Sequence, residues 1–225
     1  MIELYTWTTN NGRKPIVALE EMGIPYRLHW LDIWKGETRS AEHKQVHPLG
    51  MIPALVDPQG PGGEAVTVWE SVMILIYLGE KTGKFLPTQG AKRLDVLQWT
   101  VFHTASVTPP MDQFMLFRRE PDIASPTLKE MVGKRVTRRM EMMNDRLKGR
   151  EYICDELSIA DMAHYPLFVV GTAAGLDLAP YPHLKAWCDR MAARPKVARG
   201  ITIMPEGYVA PAQRPKEIPG GWPLG

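Results

Sequence analysis

Glu70 and Ser71 stand immediately before seven successive apolar residues, 72–78, and Gly83 follows as a stop. That pattern predicts a helix buried on nearly all sides, with Ser71 as its N-cap. Upstream, residues 47–53 place two prolines and a glycine within seven positions, which excludes regular helix or strand and implies a tight, rigid loop. Pro53 precedes residues 54–56, a short apolar run that reads as a buried strand. A cis bond between Ile52 and Pro53 would turn the Ile52 backbone outward and leave its N–H and C=O unpaired. Such an edge accepts an extended peptide as one more strand. Glu70 and Ser71 facing that edge could hold a small peptide with a free amino-terminal end.

The elements that must position these residues follow from local pattern. Residues 2–5 and 26–31 alternate as strands, with Gly23 and Pro25 breaking the chain before the second. Residues 11–22 between them read as a helix, apolar at Ile16, Ala18, Leu19 and Met22, with Pro15 inside its first turn. An irregular helical stretch at 40–46, a Gly/Pro-rich hairpin at 57–63 and a strand at 65–69 complete the order βαβ then ββα. This is the thioredoxin-like order. From residue 91 the patterns turn helical, at 94–102, 126–147, 158–170 and 182–191, and Pro195 is expected to end a helix. The fold class is therefore an α/β thioredoxin-like N-terminal domain, residues 1–86, joined through the turn-rich residues 87–90 to an all-α domain, residues 91–204. A Pro/Gly-rich tail, 205–225, cannot be regular structure, yet its Ile218 and Trp222 suggest that it packs on its own chain or a partner.

Thr9 and Asn11 lie between the first strand and the first helix, where a thioredoxin-like fold aims helix N–H groups and the positive dipole end at a reacting sulfur. No cysteine stands there. The thiol must then come from a ligand, with the Thr9 hydroxyl and the Asn11 N–H as donors to its thiolate. The plainer alternative makes Asn11 the helix N-cap and Thr9 a loop hydroxyl.

Together these stretches resemble the glutathione-binding core of the glutathione transferases: P-x-x-x-I-P-A-L-V-D, then W-E-S-x-x-I-L-x-Y-L, with Ser158-Ile159-Ala160-Asp161 further on. The T-x-N-G-x-K pattern after the first strand is most similar to the bacterial nu-class group and its fungal relatives. The resemblance covers about residues 1–200. It implies glutathione as substrate or cosubstrate. Ser71 would bind the γ-glutamyl carboxylate, Glu70 the α-ammonium, and the Ile52 backbone beside Pro53 the cysteinyl unit; electrostatics favours both charged pairings. The family commonly has a lysine before that isoleucine; Met51 stands here, so Lys35 and Arg39 are candidates for the glycyl carboxylate. The usual glycine after the serine is Val72. Glutathione-dependent disulfide-bond oxidoreductase activity, with transferase activity toward small electrophiles, is the reading implied; the alternative is a non-catalytic binding or regulatory module. A homodimer is implied as well, with oxidised glutathione as a second ligand form.

Composition restricts the rest. A formal net charge of +2 favours neither nucleic acid nor a membrane surface. No apolar run approaches the roughly 20 residues of a spanning helix, and the start lacks the regions of a signal peptide, so the cytoplasm is the expected compartment. Cys154 and Cys188 show no C-x-x-C or zinc spacing and read as buried or idle thiols in preference to a disulfide. His43 and His47 lack a third ligand, so no metal is expected. Ser158 and Asp161 form a capping box with a folding role. Lys134, Arg135, Arg138 and Arg139 make a basic helix stripe, either a solvated face or a cationic wall for an acidic ligand.

Overall fold

Alternation along the first strand gives the sheet its two faces. In this computed structural model, which describes residues 1–209, β1 (Ile2–Thr6) buries Ile2, Leu4 and Thr6 on one side, and Tyr5 on the other stacks on His29 at 4.5 Å. β2 (Tyr26–Trp30) pairs parallel with β1; β3 (Ala54–Asp57) and β4 (Val66–Trp69) add antiparallel, giving the order β2-β1-β3-β4. The parallel pair requires a crossover, supplied by α1 (Asn10–Met22), which ends at Gly23 in the left-handed conformation, φ 73°. α2 (Ala41–Val46) follows, capped by Ser40 Oγ, which accepts the His43 N–H at 3.1 Å. α3 (Ser71–Thr82) packs beside α1. The expected thioredoxin-like sheet is present.

Three local expectations need correction. Glu70, not Ser71, is the N-cap of α3; it sits at φ 68° and ψ 116°, and Ser71 is the first helical residue. A glutamate at positive φ is strained backbone that only its surroundings can hold, a condition common at ligand sites. Pro15 is the sixth residue of α1, beyond the first turn, so the Asn11 carbonyl loses the helical donor it would have had. Pro195 opens a helix rather than ending one, because a proline in the first helical position removes an N–H that has no acceptor there.

The helical part begins with α4 (Gly90–Phe102), continues as a π-helical segment (His103–Val107) and runs on into α5 (Thr108–Arg119). Pro109 and Pro110 explain the irregularity, since neither can donate back into the ladder. The Ser106 carbonyl, four residues before Pro110, instead accepts Arg139 Nε at 3.1 Å. Arg139 comes from α6 (Pro126–Leu147), so one member of the basic stripe completes this break, while Lys134 pairs with Glu130. α7 (Ile159–Ala173), α8 (Pro182–Ala192) and α9 (Pro195–Thr202) complete the order, and α1 packs against α3, α7 and α9.

Polar contacts fix the helical half internally and join it to the sheet half. Asp161 is fully buried and accepts from Ile153 N, Ser158 N, Ser158 Oγ and Trp187 Nε1 at 2.8–3.1 Å, so the expected capping box also ties α7 to α8. Glu21, at the end of α1, receives Arg194 Nε and Nη2 at 2.8 and 2.9 Å, a bidentate pair across the halves. Where the chain leaves α9 it folds back over α1, with Arg13 Nη2 3.6 Å from Met204 Sδ and the Trp7 and Tyr208 rings 6.2 Å apart. The expectation for Ile218 and Trp222 falls outside the described residues.

Candidate active site

The chain leaves β1 through Trp7 and Thr8 and enters α1 at Thr9, the N-cap, whose Oγ1 accepts the Gly12 N–H at 3.0 Å. Thr9 therefore takes the capping place that the plainer sequence reading gave Asn11. Gly12 is required there by contact: a Cβ would lie 2.0 Å from the Trp7 carbonyl oxygen. With the Gly12 and Arg13 N–H groups taken by Thr9, those of Asn10 and Asn11 open the helix with no partner among the described residues.

Lys14 was not anticipated as part of the site. It is 1% exposed, and its Nζ donates to Asn11 Oδ1 at 2.6 Å and to Ser71 Oγ at 3.3 Å. Burial lowers its pKa to about 7, against the opposing influence of Asp112 and Glu70. A cue for it exists in the sequence: Lys14 heads the row Ala18 and Met22 at four-residue spacing, the apolar face of α1. A lysine in such a row must either snorkel out or find acceptors.

These bonds have one consequence for chemistry. The Thr9 hydroxyl, the Ser71 hydroxyl and the Asn11 carboxamide each have an oxygen accepting from the protein, which leaves their protons as what they offer a ligand. With the open N–H groups of α1, the surface is built of donors. It suits anions, and both a thiolate and a carboxylate are anions.

The peptide edge lies at the same end of the sheet. The Ile52-Pro53 bond is cis, and the Ile52 N–H and C=O precede the β3 ladders without a partner among the described residues. Extending the antiparallel registers Tyr5↔Ala54 and Ala54↔Trp69 brings Ile52 level with Trp7 on one side and Ser71 on the other. His43, buried on α2, engages the Met51 carbonyl through Nε2 at 2.6 Å and so braces the loop. Glu70 makes no side-chain cap bond, and its carboxylate is exposed at the mouth. Lys35 and Arg39 are exposed beyond β2. The side chain found against Gly50, next to Met51, is that of Lys44 on α2, which sequence position alone did not single out.

On the helical side, Asn10 Nδ2 donates to Asp112 Oδ1 of α5 at 3.4 Å. Asp112 is an exposed residue of α5, yet desolvation of its carboxyl raises its pKa to about 6 against the pull of Lys14 and of the Asn10 hydrogen bond. Behind the site, the fully buried His103 and His164 rings meet edge-on at 4.6 Å. Burial holds both imidazoles neutral, His164 at about 3, and Lys14 acts in the same direction. Burial pushes the Cys154 and Cys188 thiols up to about 12, so neither is a nucleophile near neutral pH. A cavity of about 650 Å³ beside Leu19, Gly23 and Tyr26 lies at the opposite end of α1 and belongs to other surface.

Two family models match the chain: the glutathione S-transferase N-terminal domain over residues 10–81 and the glutathione S-transferase C-terminal domain over residues 109–195. This chain is a glutathione S-transferase family member. The disulfide-bond oxidoreductase YfcG of Escherichia coli (strain K12) is 34% identical over 203 residues, covering 89% of this chain and 94% of the relative. Among solved structures, a glutathione transferase family member from Pseudomonas fluorescens with two glutathione bound superposes with a TM-score of 0.83 at 31% identity, covering 89% of this chain and 92% of that one. A glutathione transferase from Pseudomonas putida with one glutathione disulfide bound per subunit gives a TM-score of 0.85 at 28% identity, covering 90% and 91%. The N-terminal transferase match contains the whole donor surface after Thr9, the Ile52-Pro53 edge and Glu70-Ser71. The C-terminal match contains Asp112 and the Asp161 cap.

Proposed function

We propose that this transferase-family chain is a glutathione-dependent disulfide-bond oxidoreductase, with conjugation of glutathione to electrophiles as its weaker activity. The observation that carries the reading is the donor surface of Thr9, Asn11 and Ser71 at a helix N-terminus with no protein thiol beside it. Thr9 and Asn11 stabilise the glutathione thiolate. Ser71 and the N-terminus of α3 take the γ-glutamyl carboxylate, Glu70 takes the α-ammonium, and the Ile52 backbone pairs with the cysteinyl unit. Lys35, Arg39 or the nearby Lys44 supplies the cation for the glycyl carboxylate.

Reducing a disulfide without a protein thiol needs two glutathiones. The first thiolate attacks one substrate sulfur; the new S–S bond forms as the old one breaks, and the departing thiolate takes up a proton. A second thiolate attacks the glutathionyl sulfur of that mixed disulfide, which releases the other substrate thiol and leaves oxidised glutathione. The similar structures holding two glutathiones or one glutathione disulfide support this stoichiometry. The wall of the acceptor site is α5, and the domains divide as residues 1–86 and 91–204. Trp69 on β4, Met73 on α3 and Leu94 and Val101 on α4 are exposed apolar residues that a homodimer would cover. No described helix is long and apolar enough to cross a membrane.

A disulfide-reduction assay run beside an aryl-halide conjugation assay tests the reading. Disulfide reduction should dominate; conjugation faster by orders of magnitude would reverse the order. Absence of both, with glutathione still binding calorimetrically, would leave the binding-module reading. A scattering mass near one chain at micromolar concentration would reject the dimer.

A further inference from the structure

We propose that Lys14 is a positioning residue of this site: its ammonium fixes the Asn11 carboxamide with Nδ2 turned toward the ligand thiol and holds the Ser71 hydroxyl, so that one buried nitrogen couples the thiol subsite to the γ-glutamyl subsite. The inference rests on the glutathione reading above. An ammonium has only donors, so the atom of Asn11 that faces it at 2.6 Å must be the oxygen. The usual ambiguity of an amide is thereby resolved, and Nδ2 is the end left for a ligand. The same nitrogen at 3.3 Å from Ser71 Oγ occupies that oxygen as an acceptor and frees its proton for a carboxylate.

The surroundings show why a lysine is kept there. It is among the largest fully buried side chains of the described residues, in a row otherwise apolar, and no carboxylate among them pairs with it directly. The charged and titratable groups around it are Glu70 before α3, Asp112 on α5, His103 in the π-helical segment and His164 on α7. Both histidines are neutral, so among the described residues the positive charge is countered by the two carboxylates at the mouth, Glu70 and Asp112. A buried cation so lightly countered is costly unless an anion arrives. Glutathione brings two, its thiolate and its γ-glutamyl carboxylate, on either side of Lys14. Binding should therefore raise the lysine pKa above about 7 and hold the ammonium charged when the site is filled.

The test follows the thiolate absorbance of bound glutathione against pH in the wild type, Lys14→Met, Lys14→Gln, Asn11→Ala and the Lys14→Met/Asn11→Ala pair. Lys14→Met should raise the bound thiol pKa by about one unit, a tenfold loss of thiolate below that pKa, and raise KM for glutathione several-fold. Lys14→Gln, whose amide can still donate to Asn11 Oδ1, should recover part of both effects. In the Asn11→Ala background the Lys14→Met change should shrink, because the residue it acts through is gone. A cooperative thermal transition in each variant shows that folding is intact. An unchanged thiol pKa and KM in folded Lys14→Met would overturn the proposal, as would full additivity of the two substitutions. An unshifted thiol in the wild type would instead overturn the glutathione reading on which it rests.

Discussion

A Cβ added at Gly12 would stand 2.0 Å from the carbonyl oxygen of Trp7, closer than any side-chain carbon can approach a backbone atom. The first turn of α1 is thus pressed onto the end of β1, and the press is what brings Thr9, Asn11 and Lys14 to the level of Ser71. Relief would require backbone movement of both segments, because Thr6 Oγ1 also donates to the Gly12 carbonyl at 2.9 Å. Gly12→Ala should cost about 3 kcal/mol or more, the scale of overpacking against backbone. Urea denaturation checks this; a midpoint like that of the wild type would show that α1 can move away cheaply.

Arg194 and Glu21 give a second expectation, with an asymmetry built in. The Glu21 side chain is 4% exposed and that of Arg194 32% exposed. Arg194→Ala strands a buried carboxylate and should cost about 3 kcal/mol, whereas Glu21→Ala leaves a cation that can reach water and should cost less. The ordering is read from denaturation midpoints, and equal losses would contradict it. Gly200 of α9 lies against Val17 of the same helix α1, so the two contacts are close enough to couple.

Much of this organisation was open to reading from the chain alone, and the omissions have physical causes. The order of strands and helices along the first 86 residues, the Ile52-Pro53 edge and the Ser158-Asp161 cap follow from proline, serine and alternation, all local signals. The cap of α3 reads one position late, at Ser71 instead of Glu70, because a serine before an apolar run is the ordinary cap, and only tertiary contact holds a glutamate at φ 68°. The helix after Pro195 and the π-helical break before Pro109-Pro110 were hidden because proline marks a first turn as readily as a stop. Lys14 was passed over since a lysine's burial depends on acceptors supplied by α3, a helix 57 residues away in the chain. Glu21 and Arg194 are separated by 173 residues, beyond any periodic pattern.

The lowered pKa of Lys14 makes a signed statement about stability. Folded, the group titrates at about 7; unfolded, at about 10.4. Between those values the unfolded chain binds more protons, so the burial penalty is fully present below pH about 7 and is relieved as pH rises toward 10. Lys14→Met should remove the penalty, offset in part by the acceptors left on Asn11 and Ser71. The variant should then be more stable than the wild type by about 1–2 kcal/mol near neutral pH and below, with the gap closing in alkali. Denaturation of both proteins at about pH 6 and about pH 9 measures the gap. A gap independent of pH would mean that Lys14 titrates normally.

Thr9 carries two separable burdens, the helix cap and the thiolate. A free thiol has a pKa of about 8.5, and lowering it to about 6.5 requires about 2.7 kcal/mol. A hydrogen bond to a charged sulfur supplies about 1.5–3 kcal/mol and the helix terminus about 0.3–1, so one hydroxyl with the dipole can provide the whole shift without a tyrosine or cysteine. The Gly12 N–H at 3.0 Å occupies the Thr9 oxygen as acceptor and polarises its O–H, which makes it a better donor to the sulfur. Thr9→Ala should raise the pKa of bound glutathione by about one unit or more and cut the rate at neutral pH, while affinity for glutathione stays nearly intact because Glu70, Ser71 and Ile52 hold the peptide. It should also cost about 1 kcal/mol of stability through the lost cap. Thr9→Ser keeps both bonds and should be mild in both respects. The thiolate absorbance reads the first burden and the thermal transition the second. A Thr9→Ala protein that melts early yet holds an unshifted thiol pKa and wild-type turnover would leave Thr9 a cap alone and pass the thiolate to the Asn10 and Asn11 N–H groups and the Asn11 carboxamide.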